Sequence, residues 1–183
     1  MSRPALFVVS GNIETGKTRF MLLLAQAMQV HAWDVAGIVS PANFQNNAKI
    51  AIDAMDLRSG KRGRLAELIQ AGSQLQGPTT SRWQFSQETL DWANSLLRSA
   101  TPCDALMIDE LGPLEFKRGE GLASGIEAVE GGEYLAAVVV VRSTLLPQAT
   151  RRWPHHEAIA LDRSSNDLAL VARWAQRLLR LKV

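Results

Sequence analysis

The chain has 183 residues, of which 46% are hydrophobic and 21% are charged, and its formal net charge is +2. This composition excludes a disordered chain, because enough apolar surface is available for burial, and the small net charge does not imply a nucleic-acid partner. The length predicts one domain spanning residues 1–183.

Cys103 is the only cysteine, so no disulfide can form within the chain and a reducing compartment is expected. The apolar run 5–9 ends at Ser10-Gly11 without the small-residue cleavage site of a signal peptide. No apolar stretch approaches the ~20 residues that a membrane-spanning helix needs. We therefore expect a cytoplasmic protein without a membrane partner.

The first forty residues predict a strand, a loop, a helix and a second strand. Residues 5–9 are continuously apolar, and from Thr18 the apolar residues recur at helical spacing. Residues 34–39 form the second buried run, which ends at Ser40-Pro41.

The middle of the chain has weaker patterns. Residues 48–57 alternate between two sets of side chains, which predicts an exposed or edge strand of a hairpin. Residues 59–81 are rich in Gly, Gln, Ser, Thr and Arg, and we interpret them as a loop with a short element around 65–69. Ser86 is the predicted N-cap of a helix that ends before Thr101-Pro102.

The second half of the chain again alternates between apolar runs and helical patterns. The predicted strands are 105–108, 135–141 and 158–161, and the predicted helices are one ended by Gly131-Gly132 and one that begins at Ser164 or Ser165. Strands that alternate with helices predict an α/β fold with a mostly parallel, doubly wound sheet and helices on both faces.

The turn after the first strand carries a phosphate-binding motif, G-x-x-x-x-G-K-[ST], here called the phosphate loop. Its residues are Gly11, Asn12, Ile13, Glu14, Thr15, Gly16, Lys17 and Thr18. Glycines let the backbone N–H groups approach phosphate oxygens, and the helix that follows adds its positive end. Lys17 is expected to contact the β- and γ-phosphates, and the Thr18 hydroxyl is a suitable Mg²⁺ ligand. The motif therefore predicts binding of a nucleoside triphosphate with Mg²⁺.

Two acids follow the predicted strand 105–108. Asp109 is placed to hold Mg²⁺ from the end of a neighbouring strand, together with Thr18. Glu110 is the predicted catalytic group that positions or activates a water molecule.

An arginine can neutralise charge on the transferred phosphoryl group. Arg142 is our candidate because it follows a core strand at the end of the sheet where ligands bind. Arg151 or Arg152 is the alternative candidate, and a third possibility is that the site contains no such arginine.

With both motifs placed, the chain resembles the THEP1 family of small P-loop nucleoside-triphosphatases over nearly its whole length. The resemblance lies in the phosphate loop, residues 35–41, Ile52-Asp53 to Asp56-Leu57, and the run 108–115 from Ile108 to Glu115. It implies a RecA-like or kinase-like sheet and Mg²⁺-dependent hydrolysis of ATP, GTP and other nucleoside triphosphates. It also places Leu111 and Gly112 with Asp109 and Glu110 among the nucleotide-binding residues.

The chain departs from the family pattern at three places. Glu14 stands where the family usually has glycine, Asn43-Phe44-Gln45 replaces a Glu-x-Arg element, and Arg142-Ser143 stands where His or a small polar residue is expected.

Two alternatives remain. A nucleotide or nucleoside kinase would use the same loop and Mg²⁺, with an Arg-rich lid for the acceptor. A regulatory binding protein would hydrolyse slowly until a protein partner is added. The chain lacks the Asn-Lys-x-Asp element of guanine-specific GTPases, so the base preference stays open.

Overall fold

The structure, a computed structural model, describes residues 4–69, 74–162 and 168–182, and these residues form nine strands and five α-helices. The strands are β1 (Ala5–Gly11), β2 (Val35–Val39), β3 (Ala42–Gln45), β4 (Ala48–Asp56), β5 (Arg62–Leu68), β6 (Trp83–Phe85), β7 (Cys103–Leu111), β8 (Tyr134–Val141) and β9 (Glu157–Leu161). The helices are α1 (Lys17–Val30), α2 (Gln87–Arg98), α3 (Ala123–Gly131), α4 (Leu146–Arg152) and α5 (Leu168–Leu179).

One sheet contains all of these strands, in the order β6-β5-β4-β2-β7-β8-β1-β9, with β3 paired to β4. The neighbours from β2 to β9 are parallel, as expected for strands connected by helical crossovers. Strands β3 to β6 add an antiparallel extension beside β2. The predicted α/β fold with a mostly parallel sheet is confirmed.

The parallel strands β1, β2, β7 and β8 are buried on both faces, because helices cover each side, whereas the edge strand β9 is buried on one face only. Alternate residues of β8 point to opposite faces, so that Val138 packs in one apolar cluster and Val139 in the other. Helices α1 and α5 cover the first face, and α2, α3 and α4 cover the second. The all-apolar runs in the sequence are explained by this two-sided burial.

Strand β4 corrects the prediction of an exposed or edge strand at 48–57. It lies between β2 and β5 and also pairs with β3, and its Ala51 and Ala54 are buried. The residues Asn46 and Asn47 turn the chain between β3 and β4, both with positive φ (48° and 61°), which asparagine tolerates better than most residues. The alternation in the sequence of β4 therefore does not indicate an edge position.

The predicted loop at 59–81 is also partly wrong, because β5 occupies Arg62–Leu68 and pairs with β4 along its length. Residues 70–73 of that loop, and the predicted start of the last helix at Ser164 or Ser165, lie outside the described residues. The predicted cap of α2 is confirmed, since the Ser86 hydroxyl accepts a hydrogen bond of 3.2 Å from the Thr89 N–H.

Candidate active site

The phosphate loop wraps closely between β1 and α1. Thr15 is buried and its hydroxyl donates a 3.0 Å hydrogen bond to the carbonyl of Asn12, which closes the loop on itself. A Cβ at Gly11 would lie 2.3 Å from the carbonyl oxygen of Leu161 in β9, so only glycine fits there. The side chain of Ile13, by contrast, is 79% exposed at the tip of the loop.

Lys17 lies over this loop. Its ammonium donates hydrogen bonds to the carbonyls of Gly11 (3.1 Å) and Asn12 (2.8 Å). An ammonium has three N–H donors, so one remains for an anion. At the N-terminus of α1, Gly16 has φ 81° and no side chain caps the helix, and the first turn contains no acidic residue. The first N–H groups of α1 and the Lys17 ammonium therefore form a compact site for phosphate.

Glu14 adopts a backbone conformation that favours glycine. Its φ is 62°, in the left-handed region, and its side chain is exposed. This conformation is the physical reason why glycine is usual at this position of the family pattern.

Asp109 connects the end of β7 to the phosphate loop. The Thr18 hydroxyl lies close enough to the Asp109 carboxylate to act on its pKa as a hydrogen-bond donor, and the Ser40 N–H donates a 3.4 Å hydrogen bond to Oδ2. The strand is not the direct neighbour of β1, because β8 lies between them, yet the strand end brings this acid to Thr18.

Burial dominates the electrostatics of Asp109, which is only 2% exposed. Desolvation raises the pKa of Asp109 to about 6, and repulsion from Glu110 adds to it, whereas the hydrogen bonds from Thr18 and Ser40 and the charge of Lys17 act in the opposite direction. The hydrogen bonds and the Lys17 charge do not fully offset the cost of burying the negative charge of Asp109. A cation bound beside this carboxylate would therefore be stabilised.

Glu110 and Arg142 form an ion pair at the carboxyl ends of β7 and β8. Nε of Arg142 lies 3.0 Å from Oε1 of Glu110, and the two side chains are 53% and 31% exposed. The Arg142 N–H also bonds to the Leu111 carbonyl, at 3.4 Å. The candidate catalytic acid and the candidate arginine therefore contact each other.

The Leu111 side chain and the Gly112 N–H both make contacts within the protein. The Leu111 side chain is fully buried in the apolar cluster under α2, α3 and α4, and the Gly112 N–H donates a 2.7 Å hydrogen bond to Oε2 of Glu115. The structure brings Asp109 to the phosphate loop, and the assignment of Leu111 and Gly112 to nucleotide binding stays a prediction.

Glu115 has a structural function that the sequence did not disclose. Its two carboxylate oxygens accept N–H bonds from Gly112 (2.7 Å) and Leu122 (2.8 Å), one on each side of the short π-helical turn Leu114–Arg118. Burial raises the pKa of Glu115, and these two N–H groups oppose that shift. A Cβ at Gly121 would lie 2.1 Å from Oε1, so a glycine leaves the space that the carboxylate fills. The acid ties down the segment that follows Glu110.

Sequence reasoning missed Ser40 and Lys49. The Ser40 hydroxyl donates to the carbonyl of Asp109, so the end of β2 is bonded to the end of β7. Lys49 in β4 is near enough to Glu110, Asp109 and Glu14 for their charges to act on its pKa. No local pattern identifies either residue, because both reach the site only through the pairing of β2 with β4 and β7.

Metal-ligand clusters and membrane-spanning helices are both absent from the described residues. No group of three or more His, Cys, Asp and Glu side chains lies close enough to hold a metal ion among residues 4–69, 74–162 and 168–182. A magnesium ion bound to a triphosphate needs few protein ligands, because phosphates and waters complete its shell. None of the helices in these ranges has the length and apolar character to cross a membrane.

Two solved structures share this fold. The solution structure of a human cancer-related nucleoside triphosphatase matches with a TM-score of 0.70 and 16% identity over 98% of each chain. The crystal structure of THEP1 from the hyperthermophile Aquifex aeolicus matches with a TM-score of 0.58 and 13% identity, over 92% of this chain and 96% of that one. The predicted P-loop fold is confirmed by these likenesses.

Sequence relatives agree with the fold. A protein named nucleoside-triphosphatase THEP1 from Methanothermobacter thermautotrophicus is 25% identical over 140 residues, which are 75% of this chain and 77% of the relative. The resemblance to the THEP1 family is thereby confirmed. A family model described as NTPase matches residues 6–171, most of the chain. The chain therefore belongs to this NTPase family.

Proposed function

We propose that this chain hydrolyses the terminal phosphate of nucleoside triphosphates, ATP and GTP among them, with Mg²⁺ as cofactor and with residues 1–183 acting as one domain. The observation that carries the proposal is the position of the buried Asp109 carboxylate at the end of β7, where the Thr18 hydroxyl and the Lys17 ammonium of the phosphate loop both lie close enough to lower its pKa. Membership of the NTPase family and the names of the THEP1 relatives support hydrolysis as the reaction.

The phosphate loop would bind the β- and γ-phosphates. Lys17 has one N–H donor left beyond its bonds to Gly11 and Asn12, and the loop and the first turn of α1 supply backbone N–H groups. These groups are held in place before the nucleotide arrives, which lowers the reorganisation that binding requires.

The donor set at Thr18 and Asp109 fits Mg²⁺. A hydroxyl and a carboxylate are hard oxygen ligands, and the buried Asp109 lacks a full compensating charge in the protein. When bound there, Mg²⁺ would neutralise charge on the β- and γ-phosphates.

Glu110 would orient the attacking water and accept its proton. The water oxygen forms a bond to the γ-phosphorus while the bond from that phosphorus to the β–γ bridging oxygen breaks, which releases the nucleoside diphosphate. Arg142 is already 3.0 Å from Glu110 and would turn its guanidinium toward the γ-phosphate. In this arrangement Glu110 positions the attacking water, and Arg142 stabilises the negative charge on the γ-phosphate.

Phosphate release with ATP, GTP, CTP and UTP, with and without Mg²⁺, tests the reaction. We expect release from the wild type only with Mg²⁺, and no nucleotide binding by Lys17→Ala. Lys61→Ala is the matched control, because Lys61 lies at the ring of Trp92 (5.6 Å) rather than in the loop. Hydrolysis by Lys17→Ala at the wild-type rate would contradict the proposed site.

The same assay separates the alternatives. A kinase would transfer phosphate to a member of a nucleoside panel and release little without it. A regulatory protein would show negligible turnover alone, and its rate would rise only when a protein partner is added.

A further inference from the structure

Lys49 is a half-buried cation without a polar partner. Across the described ranges 4–69, 74–162 and 168–182, its ammonium makes no hydrogen bond or ion pair, and it lies 5.3 Å from the centroid of the Trp83 ring. Burial lowers the pKa of Lys49, and Arg82 adds to this, while Glu110, Asp109 and Glu14 raise it. The ammonium is thus partly stripped of water beside the carboxylates of the candidate site.

The hairpin that follows β2 explains this position. Ser40, at the end of β2, bonds to Asp109, and the chain then passes through β3 and turns at Asn46 and Asn47. Strand β4 begins directly after this turn, with Lys49 opposite Phe44 in β3. Lys49 therefore lies on the part of the hairpin beyond the end of β2, near enough to Asp109 at the end of β7 and to Glu14 in the phosphate loop for their charges to act on its pKa.

Two other cations of the site, Lys17 and Arg142, are already engaged. Lys17 bonds to two loop carbonyls, and Arg142 bonds to Glu110. Arg142 must release or share its carboxylate to reach a phosphate, whereas Lys49 has no such bond to break. Replacing lost hydration by a bond to an anionic oxygen is favourable for a desolvated ammonium.

We propose that Lys49 binds the terminal phosphate of the nucleotide and supplies, within the same chain, positive charge to the transferred phosphoryl group, with the ring of Trp83 holding the ammonium in place. The proposal rests on the proposed hydrolase function and adds a residue to its site. In this proposal the β3–β4 hairpin contacts the substrate directly through Lys49, and β4 is part of the active site.

Kinetics and binding of three variants test the proposal. Removing one charge-stabilising group from a phosphoryl or acyl transfer site costs roughly 10²- to 10³-fold in rate. We expect Lys49→Ala to lower kcat/KM by about a hundredfold, and Lys49→Arg to retain activity within about tenfold of the wild type. Lys61→Ala is the matched control, since it removes the same charge from a comparable Lys–Trp pair, Lys61 with Trp92 at 5.6 Å, and should leave kcat/KM unchanged.

A binding measurement separates a phosphate contact from a structural effect. The ratio of the affinities for a non-hydrolysable triphosphate analogue and for the diphosphate, measured by calorimetry, should fall by about tenfold or more in Lys49→Ala and stay constant in Lys61→Ala. If thermal unfolding shows that Lys49→Ala does not fold, Lys49→Met takes the place of Lys49→Ala in both measurements. The methionine removes the charge and keeps the apolar contact with Trp83.

The outcomes distinguish this inference from the proposed function. A Lys49 variant that matches Lys61→Ala within threefold in both kcat/KM and the affinity ratio overturns the inference alone. A wild type that hydrolyses no nucleotide, or a Lys17→Ala variant as active as the wild type, overturns the proposed function and the inference with it.

Discussion

The Arg142 guanidinium and the Glu110 carboxylate form a 3.0 Å ion pair across the ends of two neighbouring parallel strands. Both side chains are partly exposed, so the pair itself contributes little to stability. It is able to open when a phosphate competes for the guanidinium. The pair thus holds two proposed catalytic groups together in a form that substrate can rearrange.

Glu110→Gln should retain nucleotide binding and lose hydrolysis. The amide keeps the size of the side chain but cannot accept the proton of the attacking water, and general-base catalysis typically contributes 10²- to 10⁴-fold. Single-turnover phosphate release and nucleotide affinity, measured on the same preparation, check this expectation. Equal turnover of the variant and the wild type would remove Glu110 from its proposed role.

Asp109→Asn should stabilise the protein in the absence of Mg²⁺ and nucleotide. Because the pKa of Asp109 is raised from 3.8 to about 6, the folded state holds its proton more tightly than the unfolded state, so the carboxyl contributes stability below pH 4 that is lost as the pH rises through 6. The shift corresponds to an upper bound of about 3 kcal/mol at pH 8.

Thermal unfolding of Asp109→Asn and wild type in EDTA, from pH 8 to pH 4.5, measures this effect. The variant should have the higher Tm at pH 8, and the difference should shrink toward pH 4.5 as the wild-type carboxyl takes up its proton. With Mg²⁺ and nucleotide added, the wild type should gain stability that the variant lacks. A variant less stable than the wild type at every pH would contradict the assignment of a desolvated carboxylate.

Glu115→Gln should lower stability and slow hydrolysis without abolishing nucleotide binding. Glutamine has only one side-chain oxygen, so the N–H of either Gly112 or Leu122 loses its hydrogen-bond acceptor. The other N–H keeps an acceptor that is no longer charged. The loss should cost about 1 to 3 kcal/mol in the free energy of unfolding. The free energy of unfolding and kcat would be measured together.

Glu120→Gln is the control for Glu115, because Glu120 lies in the same segment and pairs with Arg118 near the surface. Its substitution should change the free energy of unfolding by less than about 1 kcal/mol. Glu115 would lose its proposed positioning role if both variants behaved alike.

Glu14→Gly should tighten nucleotide binding. The substitution removes a negative charge from the phosphate loop and allows φ 62° without the strain of a side chain. We expect a lower KM for the triphosphate, most clearly at low ionic strength, where charge repulsion is least screened. Glu14→Gln separates the two causes, since it removes the charge and keeps the side chain. An unchanged KM in both variants would show that the carboxylate lies too far from the phosphates to matter.

Local sequence determined the elements that depend on local chemistry. The phosphate loop follows from glycines and a lysine at fixed spacing, the Ser86 cap from a hydroxyl before a helical pattern, and the parallel core from continuous apolar runs. Each of these features depends on residues a few positions apart, so a single sequence contains the whole signal. The acids after 105–108 were found for the same reason, because an apolar strand that ends in Asp-Glu is a short-range pattern.

Only the tertiary structure decided which distant residues meet these motifs. The sequence of β4 alternates like that of an edge strand, yet the strand lies inside the sheet, and it brings Lys49 toward Asp109 and Glu110. Glu115 acquires its function from N–H groups on both sides of a turn. Strand pairing and burial join residues far apart in the chain, and the charges of a site depend on that burial, so no local pattern specifies them.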